Sequence, residues 1–194
     1  YMVEAADQAA RALAFDRAAE FYGDALERWP ANDNEKRREL FIALGDVNVY
    51  RGRSKDAAEA YLAAAEGAKK AHALELRSRA ANHLFRGGYD DLGSKALEQV
   101  TNSMGLRLPK TTFGALLSLF LRRLQIRLRG VRYRERDETQ VSKESLVHTD
   151  VYFEMANVLG LMDHIKGSDF STRFALAALK LGEPVRVCCA LASE

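Results

Sequence analysis

Cysteine is nearly missing from these 194 residues: there are two, Cys188 and Cys189, side by side. Neighbouring cysteines close a strained ring, and without a third thiol no disulfide framework exists. That usage fits a reducing, cytoplasmic compartment, with both thiols expected to be buried in a helix. Proline is as scarce, with three in the chain. Few breaks and abundant Ala, Leu, Arg and Glu favour helix almost throughout. An excess of one charge is lacking too. The net charge of +2 gives the whole chain no electrostatic claim on nucleic acid or membrane. The longest apolar run, 113–121, is interrupted by Gly114 and Ser118 and is too short to span a bilayer; no signal peptide is visible. Apolar residues at 47% and charged residues at 29% are ordinary for a globular protein.

Catalytic signatures are also missing. His72, His83, His148 and His164 are dispersed, and none has metal-type spacing to a partner ligand. Asp163 and His164 are adjacent, but successive helical residues point about 100° apart and form no dyad. Gly87-Gly88 lacks the Gly-Lys-Ser/Thr ending of a phosphate loop and reads as a turn between helices. Neither G-x-S-x-G nor H-E-x-x-H occurs. The sequence therefore assigns no catalytic residue, no cofactor and no metal.

What is present is a repeat. Residues 18–30, with Ala18, Tyr22 and Ala25 ahead of Pro30, read as the second helix of a tetratricopeptide (TPR) helix–turn–helix unit. Small residues let two helices approach, the aromatic fills the gap, and the proline stops the helix. Ala57, Tyr61 and Ala64 repeat that spacing behind Gly45 and a turn at Gly52. A helix over 5–13 with a turn at 14–16 completes the first unit, and Asp33 or Asn34 caps the next. A third, degenerate unit spans 73–104 with a turn at 87–90, where Leu92, Ala96 and Gln99 replace the small–aromatic–small set. A fourth is read from Leu159-Gly160, a turn glycine at Gly167 and a stop at Pro184, with a further helix from 183 to 194. The expected fold is all-α: a TPR-like right-handed helical-repeat solenoid, or α-α superhelix. It comprises three repeats over 1–104, an arginine-rich helical insertion and linker over 105–149, and a degenerate repeat over 150–194. In the insertion, Leu108-Pro109 breaks the chain, Thr111 or Thr112 caps an amphipathic helix over 113–128, and Ser142 caps the next. Both ends of the chain fall inside helical patterns, so it reads as part of a longer protein.

Two surfaces are candidates for binding. The first helices of repeats two and three should line a groove, with Ile42, Asp46, Val49 and Tyr50 beside Arg77, Ala81, Leu84 and Phe85. An apolar floor edged by Asp46 and Arg77 suits a peptide or a helix, while Leu84 and Phe85 are equally readable as core. The second is a basic patch of Arg122, Arg123, Arg127, Arg129, Arg132, Arg134 and Arg136. With Glu135 its only acid, residues 122–136 carry +6, which leaves −4 for the rest of the chain. Leu124, Ile126, Leu128, Val131 and Tyr133 alternate with the arginines. The favoured reading packs this segment along the repeats with its arginines solvated or paired to acidic helices. The alternative is an anion-binding module for RNA or acidic lipid.

At the insertion the sequence resembles a particular family. Gly105-Leu106-Arg107-Leu108-Pro109, Leu121-Arg122-Arg123-Leu124 and residues 128–138, with Gly167-Ser168-Asp169-Phe170 and Leu181-Gly182-Glu183-Pro184, are similar to a stretch of large bacterial signalling proteins. Those proteins fuse a serine/threonine protein kinase to a STAND, AAA-like ATPase and a C-terminal TPR region. The resemblance covers about residues 10–194. It implies a helical sensor or scaffold downstream of the ATPase. The expected partner of the groove is a protein or peptide, or alternatively other domains of the same chain. It carries over no catalytic residue; kinase activity and ATP binding would belong to other domains of the parent.

Overall fold

The computed structural model describes residues 1–106 and 111–193. The expected chain break at Leu108-Pro109 and the final residue lie outside them. No strand occurs among the described residues. Among the described residues ten α-helices follow one another: α1 Met2–Arg11, α2 Phe15–Arg28, α3 Asn34–Tyr50, α4 Ser54–Ala65, α5 Lys70–Arg86, α6 Asp90–Ser103, α7 Thr112–Arg129, α8 Lys143–Met162, α9 His164–Leu181 and α10 Pro184–Ala192. They divide into two compact units, Tyr1–Val100 and Thr101–Glu194.

In the first unit each helix packs on its neighbour in sequence, from α1 through α5. The same turn recurs. Ala14 N donates to Ala9 O at 2.9 Å, Arg53 N to Asn48 O at 2.9 Å, and Tyr89 N to Leu84 O at 2.9 Å. In each turn the residue before the donor is left-handed, with φ of 58° at Leu13, 70° at Gly52 and 77° at Gly88. This is the closing motif that satisfies the last carbonyls of a helix. Two positions hold glycine, which reaches this region without a Cβ penalty; Leu13 does so as an exposed side chain.

Matching the first two turns places Ala6 with Gly45, Asp7 with Asp46, Ala18 with Ala57, Tyr22 with Tyr61 and Ala25 with Ala64. The three pairs Ala18/Ala57, Tyr22/Tyr61 and Ala25/Ala64 are all buried. The paired tyrosines behave alike: Tyr22 Oη donates to Asp7 Oδ1 at 2.6 Å and Tyr61 Oη to Asp46 Oδ1 at 2.6 Å. Gly45 lets Tyr61 approach closely, because a Cβ there would lie 2.7 Å from Tyr61 Cε1 and the ring would have to shift. Arg37 at the start of α3 closes the end of α2, donating to the carbonyls of Leu26 at 2.8 Å and Trp29 at 3.2 Å.

The third hairpin corrects the expected register. Matched through Gly88, the small–aromatic–small set becomes Gly93, Leu97 and Val100, all buried, whereas Leu92 and Gln99 are exposed. Phe85 occupies the space a side chain at Gly93 would need, since a Cβ there would meet its Cδ1 at 2.8 Å. Ala96 is buried as well.

The second unit is built on α9, which packs against α7, α8 and α10. Its core holds Met155, Val158, Phe170, Phe174, Leu179 and Val187. Thr111 caps α7, accepting from Gly114 N, and Ser142 caps α8, accepting from Ser145 N. Three expectations fail here. Gly167 is not a turn residue: the turn is the single residue Asp163, whose carboxylate accepts from Ile165 N and Lys166 N. Gly167 lies inside α9, where α8 and α9 cross. Pro184 is not the stop of α9, which Gly182 caps; it opens α10, the further helix expected from 183, where Glu183 accepts from Val185 N and Arg186 N. A proline at the first helical position loses only a donor that would have no partner in the helix. Cys188 and Cys189, expected to be buried, are exposed on α10, because Val187 and Ala190 take its inward positions.

Candidate functional site

In the first unit the polar groups gather where α3, α4 and α5 meet. Asp46 on α3 accepts the Tyr61 hydroxyl from α4 and lies 3.9 Å from the Arg79 guanidinium of α5. Arg79 also pairs with Glu75, one turn back, at 2.8 Å. The ring of His83, a turn further on, stacks on Tyr61 at 5.7 Å between centroids. Burial and the bond to Asp46 push the Tyr61 phenol well above its ordinary value, so it stays a donor at neutral pH. Burial, aided by Arg86 and Arg79 and opposed by Asp46, pushes the His83 imidazole down. The arrangement is a half-exposed row of alternating charge, Glu75–Arg79–Asp46, with an aromatic pair beneath it. It can read a charged and apolar ligand; it holds no nucleophile paired with a base.

The expected groove is only partly assembled. Asp46 is on this surface, but its cation is Arg79, two residues beyond the expected Arg77. Arg77 is half-buried. Ala81 and Leu84 are buried and cannot floor an open groove: the former takes the place of Gly45 in the third hairpin, the latter that of Asn48. Phe85 is committed to Gly93. Ile42 and Val49 are half-buried. Tyr50 is exposed but stacks on Phe15 with centroids 4.9 Å apart. There it borders a cleft of about 410 Å³ shared with Leu13, Asp16 and Arg51. The alignment signal that finds Arg79 is the tyrosine itself: the residue facing its hydroxyl from the next repeat is invisible to helix-face counting within one unit.

The arginine segment also departs from its expected packing. Arg122 points inward, 3.2 Å from Asp169 but off the hydrogen-bond direction. Arg129 donates to Leu179 O at 3.1 Å, and Arg136 N to Gly182 O at 2.9 Å. Arg123, Arg127, Arg132 and Arg134 are exposed, with no acid in ion-pair range among the described residues. Of the interleaved apolar residues only Ile126 packs into the core; Leu124, Leu128, Val131 and Tyr133 are exposed. The reason is the inner face of α7, where Ala115, Ser118, Arg122 and Ile126 meet α9. The larger apolar residues point the other way: Phe113, Leu116, Leu117, Phe120, Leu121, Leu124 and Leu128 form an uncovered stripe.

A second cleft, about 520 Å³, opens in this unit between Arg136, Ser145, His148, Tyr152 and Lys180. No group of His, Cys, Asp and Glu among the described residues is placed to hold a metal ion, and none of their helices is long and apolar enough to cross a membrane. The fold and its sites thus define an all-helical protein of sequence-adjacent helix pairs. No family model, curated protein or solved structure matches the chain.

The His83 environment has a measurable consequence. A folded-state value held below the unfolded one means that the unfolded chain binds the proton more readily. The stability this group contributes is therefore present above its ordinary value near 6.5 and lost as pH falls through the depressed value. Urea midpoints measured between about pH 7 and pH 5.5 should fall for the native chain and fall less for His83→Gln. Parallel slopes would show that His83 charges as freely folded as unfolded.

Proposed function

We propose that this chain is a non-catalytic protein-interaction module of TPR type, a scaffold or sensor within a larger signalling protein of the kinase–ATPase kind its sequence resembles. The observation that carries the reading is the register-matched hairpin. The left-handed turn, the small helix contacts and the tyrosine–aspartate bond recur together in successive helix pairs. Hairpins that bury their faces only against neighbours leave an extended outer surface, and repeat proteins use such surfaces to bind.

The ligand is a peptide or helix of a protein partner or of another domain of the same chain. It lies on the surface of α3 and α5 beside Asp46, Arg79 and Glu75. A ligand that binds one conformation of the parent better than another biases its switch between resting and active states.

The test is selection of peptides from a random display library on the 194-residue chain. Asp46→Asn keeps an acceptor for Tyr61 while removing the charge, and Arg79→Gln removes the cation. Each should weaken an enriched peptide about tenfold, near 1.4 kcal/mol, with the circular dichroism unchanged. A library that enriches nothing, or peptides indifferent to both variants, would overturn the assignment.

A further inference from the structure

We propose that the outward face of α7 lies flat in the headgroup region of an anionic bilayer, with Phe and Leu side chains at the acyl boundary and arginines on the lipid phosphates. The helix is inverted relative to an ordinary core helix. Small and polar residues, Ala115 and Ser118, face α9, while Phe113, Phe120 and Leu128 remain 77%, 64% and 79% exposed. At 100° per residue the outward apolar positions fall within an arc of about 140°, wide enough for one side of a helix to enter an interface. A contiguous apolar stripe of this kind marks an interaction surface rather than scattered surface leucines.

Charge identifies the occupant. Helix α7 contains no acidic residue. Arg127 falls inside the apolar arc and Arg123 on its rim, and neither meets a carboxylate among the described residues. The exposed segment after α7 continues the mixture, with Tyr133 between Arg132 and Arg134. A second copy of α7 would bring the same cations and no anion. A nucleic acid would supply anions, but the stripe is mostly leucine and offers few rings on which bases could stack. A surface of anionic lipid supplies both requirements: acyl chain for the leucines and phenylalanines, and phosphate for the arginines. Helix α7 does not span the membrane; its arginines confine it to the interface. The inner arginine, Arg122, is held toward Asp169, which keeps α7 oriented with this stripe outward.

The test is co-flotation of the 194-residue chain with vesicles of phosphatidylcholine containing about 30% phosphatidylserine, beside vesicles of phosphatidylcholine alone. The native chain should float with the anionic vesicles at least tenfold more than with the neutral ones, and the difference should shrink as salt is raised. The double variant Phe120→Glu/Leu124→Glu changes only exposed positions and should stay with the soluble fraction. Arg123→Gln/Arg127→Gln should weaken flotation about thirtyfold. Circular dichroism confirms that both variants fold. Absence of flotation, flotation equal on neutral lipid, or flotation indifferent to both double variants would overturn the proposal. So would light scattering showing that the native chain is a dimer that Phe120→Glu/Leu124→Glu renders monomeric without native vesicle binding, which would assign the stripe to a second copy.

Discussion

Gly167→Ala should destabilise the second unit by about 2–3 kcal/mol, although glycine-to-alanine inside a helix ordinarily stabilises by about 0.5–1 kcal/mol. The reversal comes from geometry. A Cβ on Gly167 would lie 2.5 Å from Gly160 Cα and 2.6 Å from Gly160 N. Both are backbone atoms, so no side chain can swing aside, and α8 and α9 must part along their shared core. The companion substitution is the control. A Cβ on Gly160 meets nothing within 4 Å, so Gly160→Ala should follow the ordinary rule and raise stability slightly. Urea unfolding followed by circular dichroism separates the two, and a Gly167→Ala midpoint at or above the native one would show that the helices are not in contact there.

Asp169→Ala is the other large effect, with an expected loss of about 3–5 kcal/mol. This carboxylate is buried and answers three groups: it accepts from Ser118 Oγ at 2.8 Å and from Arg173 Nε at 2.7 Å, and lies 3.2 Å from Arg122 Nε. Arg173 is itself buried, beside the Phe170 ring. Removing the acid leaves two guanidinium groups without their shared anion and cuts the polar tie between α7 and α9. Asp169→Asn, which keeps the shape and an acceptor, should cost less. If the alanine variant lost under about 1 kcal/mol, the guanidinium groups would have to be solvated in the folded state. The same variant should release α7 from its fixed orientation, so its amide hydrogen exchange in residues 112–129 should quicken more than in α8.

Much of the first unit is legible along the sequence because its order is local. Tyr22 and Tyr61 sit at the same distance from their small neighbours, Gly52 and Gly88 mark turns whose geometry demands a left-handed residue, and each helix packs on the next in the chain. Spacing alone therefore places the hairpins. It fails at the third, where Gly93, Leu97 and Val100 take the inward set and Leu92 and Gln99 face outward, while Ala96 stays buried: without an aromatic in the set, spacing does not fix the register to within one residue.

The candidate sites were less legible. Asp46 belongs to the expected surface, but the choice of Arg79 over Arg77, and the burial of Ala81 and Leu84, depend on how α5 is rotated against α3 and α4. Helix periodicity says that α7 has an apolar face and cannot say which way it points. Gly167 of α9 looks like a turn residue until its crossing with Gly160 of α8 is known.

The sequence by itself determined the helical class, the hairpins of the first unit and most of the caps, because helix propensity, turn chemistry and short-range spacing are properties of neighbouring residues. Tertiary structure alone decided that Gly167 is a crossing point, that Cys188 and Cys189 face outward and that the leucines of α7 are uncovered. Those outcomes depend on which face each helix presents to a partner, and that follows from the joint packing of several helices rather than from any one segment.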